Sequence, residues 1–359
     1  MGFRLAELST ELVAPWGLAF LPDGRMLVTE RAGRLKLLGA DGRLETQVTG
    51  LPAVDARGQG GLLGIALDPA FSSNRRLYFS YAEADASQPE ANGTAVARAV
   101  LSADGARLEQ AVVIWRQLPK VVSNAHFGSR LVFDRAGALF VTLGDRLRDD
   151  ERGFAQDLRR GNGKVVRITP DGAPAPGNPD WAQAGALPEI WSLGHRNVQG
   201  AALHPVTGEL WVSEHGAEGG DEINRVLPGR NYGWPLASRS FEYETTTPVG
   251  AEILPGMEDP VWVWSREDGA SWSGGPKSSI APAGIAFYDA AAVPHWRGSL
   301  FVTALAGQAL FRLTLDGNRV VAQERLLAER GERLRDVAQG PDGALYLLTD
   351  NGKLLRWGV

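Results

Sequence analysis

Six polar residues stand at matching points of a repeated phrase: Gln59, His126, Arg196 with its neighbour Asn197, and Arg333 with Arg335. His126 lies in SNAHFGSR, a polar, glycine-containing loop just ahead of a strand-like segment. A neutral imidazole there could take a proton from a hydroxyl near neutral pH. A lone loop histidine is ordinarily structural, but the register with two arginine positions argues for chemistry. Arg196 and Asn197 fall in WSLGHRNVQG. Arg333 and Arg335 alternate in ERLRDVAQG, which puts both side chains on one face of a strand. Three guanidinium groups gathered at one place repel unless an anion sits among them. Arginine's planar fork suits carboxylates, so the set points to an anionic ligand with several carboxylates or comparable oxygens. The alternative is surface arginine paired with nearby acids such as Asp336.

Other segments carry weaker signals. EHGAEGGDEINRVLPGRNYGWP (214–235) gathers Glu214, Glu218, Asp221 and Glu222 among five glycines. Carboxylates and free carbonyls in such a turn suit a hard cation such as calcium, although no EF-hand spacing is present. Asp145, in GDRL, could orient a loop or cap a turn. His195, His204, His215 and His295 lack zinc-type spacing and read as structural. GQGG at 58–61 is not followed by GK[ST] and is not a phosphate loop.

The elements that must position these residues are strands. An apolar strand, a turn rich in Asp, Pro and Gly, and a second apolar strand recur six times, beginning at Gly17, Gly64, Arg130, Gly200, Gly284 and Asp336. His126, Arg196 and Arg333 each lie eight residues before the turn residues Asp134, His204 and Pro341, and Gln59 lies nine before Asp68. With 359 residues, each repeat has about 60, the size of a four-stranded propeller blade with insertions. The expected fold is therefore all-β: one six-bladed β-propeller over residues 1–359, with four-stranded antiparallel blades. After Asp336 only about three strands fit, and FRLAEL (3–8) otherwise lacks a partner. That N-terminal strand should join the last blade and close the ring. The loops leading into the innermost strands would then converge at one end of the axis. One helical turn is expected in 153–164, and loop insertions at 171–188 and 238–278.

Composition sets limits. Hydrophobic residues make up 44% and glycine numbers 44, an ordinary globular composition rich in turns. No apolar run is long enough to span a membrane. A net charge of −5 argues against nucleic acid as the main partner. There are no cysteines from which to read a redox compartment. The start MGFRLAELST has no signal-peptide core.

GQGGLLGIALDPAF, HFGSRLVFDRAGALFVTLGD, LGHRN, the EHG…GGDEIN…NYGWP stretch, APAGIAFY and RLRDV together, in this order, resemble the soluble glucose/sorbosone dehydrogenase family. These are quinoproteins that oxidise aldose sugars with pyrroloquinoline quinone (PQQ) and calcium. The resemblance spans about Ala14 to Asp350. It implies a six-bladed propeller with PQQ across the axis. It implies that His126 is the general base at the sugar's anomeric hydroxyl, with hydride passing to the quinone C5. Arg196 would stabilise charge on the quinone oxygens, and Gln59, Asn197, Arg333 and Arg335 would contact the cofactor. The Gly216 and Ala217 carbonyls would hold one calcium against PQQ; Glu222 and the Tyr232 carbonyl would hold a second, structural one. A lysine that contacts PQQ in some members falls at Ala306. Trp272 and Tyr288 are candidates to cover the sugar. The family implies a periplasmic or secreted protein, monomer or homodimer, with an unidentified electron acceptor. The competing expectations are a calcium-dependent lactonase on the same kind of propeller and a non-catalytic propeller binding module.

Overall fold

The computed structural model describes residues 3–265, 268 and 279–359. Strands Pro15–Phe20, Met26–Glu30, Arg34–Leu38 and Leu44–Val48 form the first blade; Leu62–Leu67, Arg76–Ala84, Asn92–Leu101 and Leu108–Arg116 form the second. The third contains Leu131–Phe133, Leu139–Thr142, Lys164–Ile168 and Ile190–Leu193; the fourth, Val198–Leu203, Leu210–Glu214, Asp221–Val226 and Trp262–Trp264. Pro282–Phe287, Leu300–Ala304, Ala309–Asp316 and Arg319–Leu326 make the fifth. The sixth combines Leu334–Gln339, Leu345–Thr349 and Leu354–Gly358 with the N-terminal Arg4–Ser9. This is the expected six-bladed propeller, closed by antiparallel pairing of Arg4 with Gly358 and Leu5 with Trp357. Ion pairs of Glu7 with Arg330 (2.5 Å) and Lys353 (3.4 Å) reinforce the closure.

Burial follows position within a blade. Second strands such as Met26–Glu30 and Leu345–Thr349 are buried at every residue because neighbouring blades cover both faces, and the longer Arg76–Ala84 is buried except at its ends. They therefore read as continuous apolar runs rather than alternating ones. The outermost strand Arg319–Leu326 is largely exposed and carries two arginines and a glutamate, which discourages edge pairing.

A hydroxyl on four of these strands stitches blades together. Thr29 donates to the Leu63 carbonyl (2.6 Å), Ser80 to Ser129 (2.6 Å), Thr142 to Val198 (3.0 Å) and Ser213 to Ala283 (2.6 Å). Each bond crosses to the innermost strand of the next blade or the loop leading into it. The approach is close enough that a Cβ at Gly64 would lie 2.2 Å from the Ser129 carbonyl oxygen. Only glycine fits there.

Two details differ from the expectation. The third blade gains a short parallel fifth strand, Arg230–Asn231, beside Ile190–Leu193. The glycine-rich chain leaving the fourth blade folds back over the third, where the Tyr232 amide donates to Leu193 (2.8 Å) and the Trp234 amide to Gly194 (2.9 Å). Tyr288 follows the innermost strand of blade five, at the end opposite the converging loops. It is fully buried and donates to the Gly343 carbonyl (2.6 Å), so it cannot cover a ligand at the loop end. Trp272 lies outside the described residues. The single turn in 153–164 is a 3-10 helix at Arg152–Gln156. Among the described residues no helix is long and apolar enough to cross a membrane.

Candidate functional site

The loops leading into the innermost strands do converge. A cavity of about 460 Å³ opens at that end of the axis, lined by Gln59, His126, Arg196, Arg333 and Arg335 among others. Asn197 does not line it. Its Oδ1 accepts from the Gly128 amide (3.3 Å) behind the wall, and its Nδ2 is buried without a partner among the described residues.

His126 is held on several sides. Its Nδ1 lies 2.7 Å from Asp145 Oδ1, and its backbone amide donates to Gln59 Oε1 (2.9 Å). Asp145 is buried and also accepts from Trp234 Nε1 (2.8 Å) and the Leu147 amide (2.9 Å). An ionised carboxylate only accepts, so the proton sits on Nδ1 and the Nε2 lone pair is left free. Burial would raise the Asp145 carboxyl, but His126, Arg196 and the Leu147 amide outweigh it and hold it below its ordinary value. Burial, then the Arg196 charge, lowers the His126 pKa against the opposing pull of Asp145. The imidazole is thus neutral at pH 7. Gly144 makes this geometry possible: a Cβ there would lie 2.0 Å from the His126 carbonyl oxygen.

Arg196 crosses the wall beside it. Its Nη1 donates to the His215 (3.2 Å) and Gly216 carbonyls, and its Nη2 to Tyr243 Oη (2.8 Å). The guanidinium lies 5.1 Å from the Trp234 ring centroid, and Nε is buried without a partner among the described residues. Arg333 and Arg335 do share one face. Asp350 sits between them, accepting from Arg333 Nε (2.9 Å) and Arg335 Nε (2.8 Å), and their charges hold its carboxyl below the usual range against burial. The expected acid, Asp336, instead accepts from Arg130 (3.0 Å), itself 4.3 Å from the Trp16 ring centroid.

Several lining residues escaped the sequence reading: Arg31, His215, Leu305 and Asp350. All four directly follow the second strand of a blade. Because that strand runs antiparallel to the first, its end lies beside the start of the innermost strand. His215 is not merely structural: it faces the cavity, its Nε2 is 2.6 Å from the Pro282 carbonyl, and burial drives its pKa down to about 3. His195, His204 and His295 stay outside the lining, as expected.

Four arginines against one aspartate leave the described lining with three positive charges. Trp16, Leu147 and Leu305 add apolar surface to the lining. The lining suits an anionic guest beside a neutral histidine able to accept a proton. The model of the glucose/sorbosone dehydrogenase family matches residues 12–356. The chain belongs to this family. It is 42% identical over 354 residues to the aldose sugar dehydrogenase of Escherichia coli, covering 97% of this chain and 91% of that protein. A solved glucose dehydrogenase superposes with a TM-score of 0.91 at 48% identity, covering 99% of both chains. The PQQ-bound aldose sugar dehydrogenase of Streptomyces coelicolor superposes with a TM-score of 0.79 at 32% identity, over 99% of this chain and 98% of that one.

Within this glucose/sorbosone dehydrogenase fold, the four metal candidates separate into two places. Gly216 and Ala217 line the axial cavity, where the Gly216 carbonyl accepts from Arg196. Glu222 and Tyr232 share a small separate cavity with Glu252 and Glu258. Burial, then Glu214, raises the Glu222 carboxyl well above its ordinary value, and the buried Asn224 Oδ1 has no partner among the described residues. Ala306 is buried next to Leu305 and donates its amide to Ile280 (3.0 Å).

Proposed function

We propose that this chain is a PQQ-dependent aldose dehydrogenase that oxidises the anomeric carbon of aldoses to lactones. The observation that carries the reading is the His126–Asp145 pair at 2.7 Å on the wall of a cavity with three net positive charges. PQQ is a planar tricarboxylate, so its charge matches the described lining, which Arg31, Arg196, Arg333 and Arg335 supply. When bound, PQQ supplies the hydride acceptor. Arg333 and Arg335 would hold its carboxylates. Gln59, whose Oε1 is taken by the His126 amide, would offer its Nε2, and Asn197 would support this wall through Gly128.

His126 Nε2 accepts the proton of the anomeric hydroxyl as general base, and Asp145 steadies the imidazolium that results. Arg196, fixed over Trp234, stabilises negative charge that develops on the guest. Leu147 and Tyr243 would border the reacting face.

Calcium fits the two places unequally. Glu222, Asn224 and the Tyr232 carbonyl would be the ligands of a structural calcium, since Glu222 and Tyr232 share their cavity with Glu252 and Glu258 and oxygen donors suit that ion. Gly216 and Ala217 offer only neutral carbonyls, one already bonded to Arg196. An axial ion would need further oxygens from the anionic guest. A lactonase reading requires an axial metal ringed by acids. Among the described lining residues the sole acid is Asp350, and it is paired with arginine. A periplasmic or secreted location accompanies the dehydrogenase reading.

Dye-linked aldose oxidation, measured before and after adding PQQ with calcium, tests the proposal. Activity that appears on reconstitution across several aldoses supports it. Neither activity nor PQQ binding would return the lactonase and binding-module readings to the front.

A further inference from the structure

His126 has a left-handed backbone (φ 48°), and so do three other non-glycine residues of the two loops that meet there: Ser129 (83°), Arg146 (75°) and Leu147 (52°). Such residues persist only where their surroundings over-determine them. Asp145 fixes the imidazole, and the Gln59 contact fixes one amide. Neither grips the loop on both sides of His126.

Arg146 does. It is fully buried and outside the cavity lining. Its Nε donates to the Ala125 carbonyl (2.9 Å), the residue just before His126. Its Nη2 donates to the Ser123 carbonyl (2.6 Å) and Asn92 Oδ1 (2.6 Å), and its Nη1 to the Asn92 carbonyl (3.0 Å). The guanidinium lies 3.8 Å from the ring centroid of Phe127, the residue just after His126. Ser123 Oγ returns a bond to the Arg146 carbonyl. Every hydrogen-bond acceptor is neutral, which is unusual for a buried arginine and costs desolvation that a plain filler residue would avoid. What the chain gains is a rigid fork joining four points of the histidine loop and blade two.

We infer that Arg146 is a positioning residue that clamps the His126 loop so that Nε2 is held at the cavity wall. Asp145 and Arg146 then act as one dipeptide, the first holding the ring and the second the backbone. The inference rests on His126 being the base.

The test uses the apo-protein labelled with ¹⁵N-histidine, together with the reconstituted enzyme. In wild type, His126 should give a slowly exchanging low-field Nδ1 proton and an Nε2 without a proton. Arg146→Lys keeps the charge but not the fork. It should broaden or erase that proton and lower kcat on the order of 100-fold, with little change in KM or PQQ affinity. A folded Arg146→Lys with the His126 signal and kcat unchanged overturns the clamp. Should that variant not fold, the wild-type guanidinium decides. Separate, protected Nη protons on Arg146 support the clamp, and a freely rotating, rapidly exchanging group overturns it. If His126→Ala keeps full turnover while Arg146→Lys still disturbs the His126 resonance, the base assignment has failed and the clamp has not.

Discussion

His126 and His195 stand just ahead of the innermost strands of blades three and four, and each offers Nδ1 to a buried carboxylate. His126 meets Asp145 at 2.7 Å, and His195 meets Glu214 at 2.9 Å. The difference lies at the other nitrogen. His195 Nε2 is 2.8 Å from Ser192 Oγ, and its ring stacks on Tyr232 with centroids 4.8 Å apart. His126 lines the cavity, and Arg196, Asp145, Arg146 and His215 are the charged or titratable groups set around it. A histidine–carboxylate pair is thus not in itself a catalytic device. The pair becomes one where the distal nitrogen faces a ligand-sized space, and it is a structural tie where that nitrogen is already bonded.

Breaking the pair at the cavity should have the largest effect. His126→Ala is expected to lower kcat by about 1,000-fold while PQQ stays bound, within the usual range for a positioned general base. Single-turnover kinetics with separately measured PQQ affinity checks both halves, and full retained turnover removes His126 from the base role. Asp145→Asn comes next, at about 100-fold. An amide can offer its NH₂ to Nδ1 and so favour the tautomer with the proton on Nε2, which cannot act as base. The pH profile sharpens the same point. The base works only when unprotonated, and burial and Arg196 lower its pKa, so kcat/KM should hold through neutrality and fall only below about pH 6.5. An acid limb centred above pH 7 would contradict that environment.

Arg333→Ala addresses the anion side of the cavity and should be milder. It removes one charge-assisted donor while Asp350 keeps Arg335. PQQ affinity should weaken by about tenfold, with less change in kcat at saturating cofactor. Equilibrium titration of the apo-protein with PQQ measures this, and unchanged affinity would take Arg333 out of the site.

The repeat made much of this readable. An apolar strand, a turn and a second apolar strand identify the inner half of each blade, and the eight-residue spacing located His126, Arg196 and Arg333 before any fold was known. The closing strand at Arg4–Ser9 followed from counting strands. What stayed hidden lies on the loops that leave the second strands. Arg31, His215, Leu305 and Asp350 occupy one equivalent position in four blades, yet share no residue type. Antiparallel geometry alone brings them to the site. Asp145, weighed as a loop orienter or turn cap, proved to be the partner of His126, because a contact between two loops leaves no periodic trace. Trp234 reaches Asp145 only because the chain of blade four folds back over blade three.

The smallest change in turnover should come from the other histidine. His195→Gln removes the donor to Glu214 Oε2 and the partner of Ser192, while Glu214 Oε1 still accepts the Arg196 amide. Glutamine can restore one of the lost bonds but not the stacking on Tyr232. The expected result is a loss of about 1–3 kcal/mol in stability with kcat close to wild type, because nothing at His195 touches the cavity. Denaturant melts beside steady-state kinetics make the measurement. A collapse of kcat at unchanged stability would mean that Glu214, through the Arg196 backbone, transmits the His195 contact into the site, and the line drawn between the two histidines would have to move.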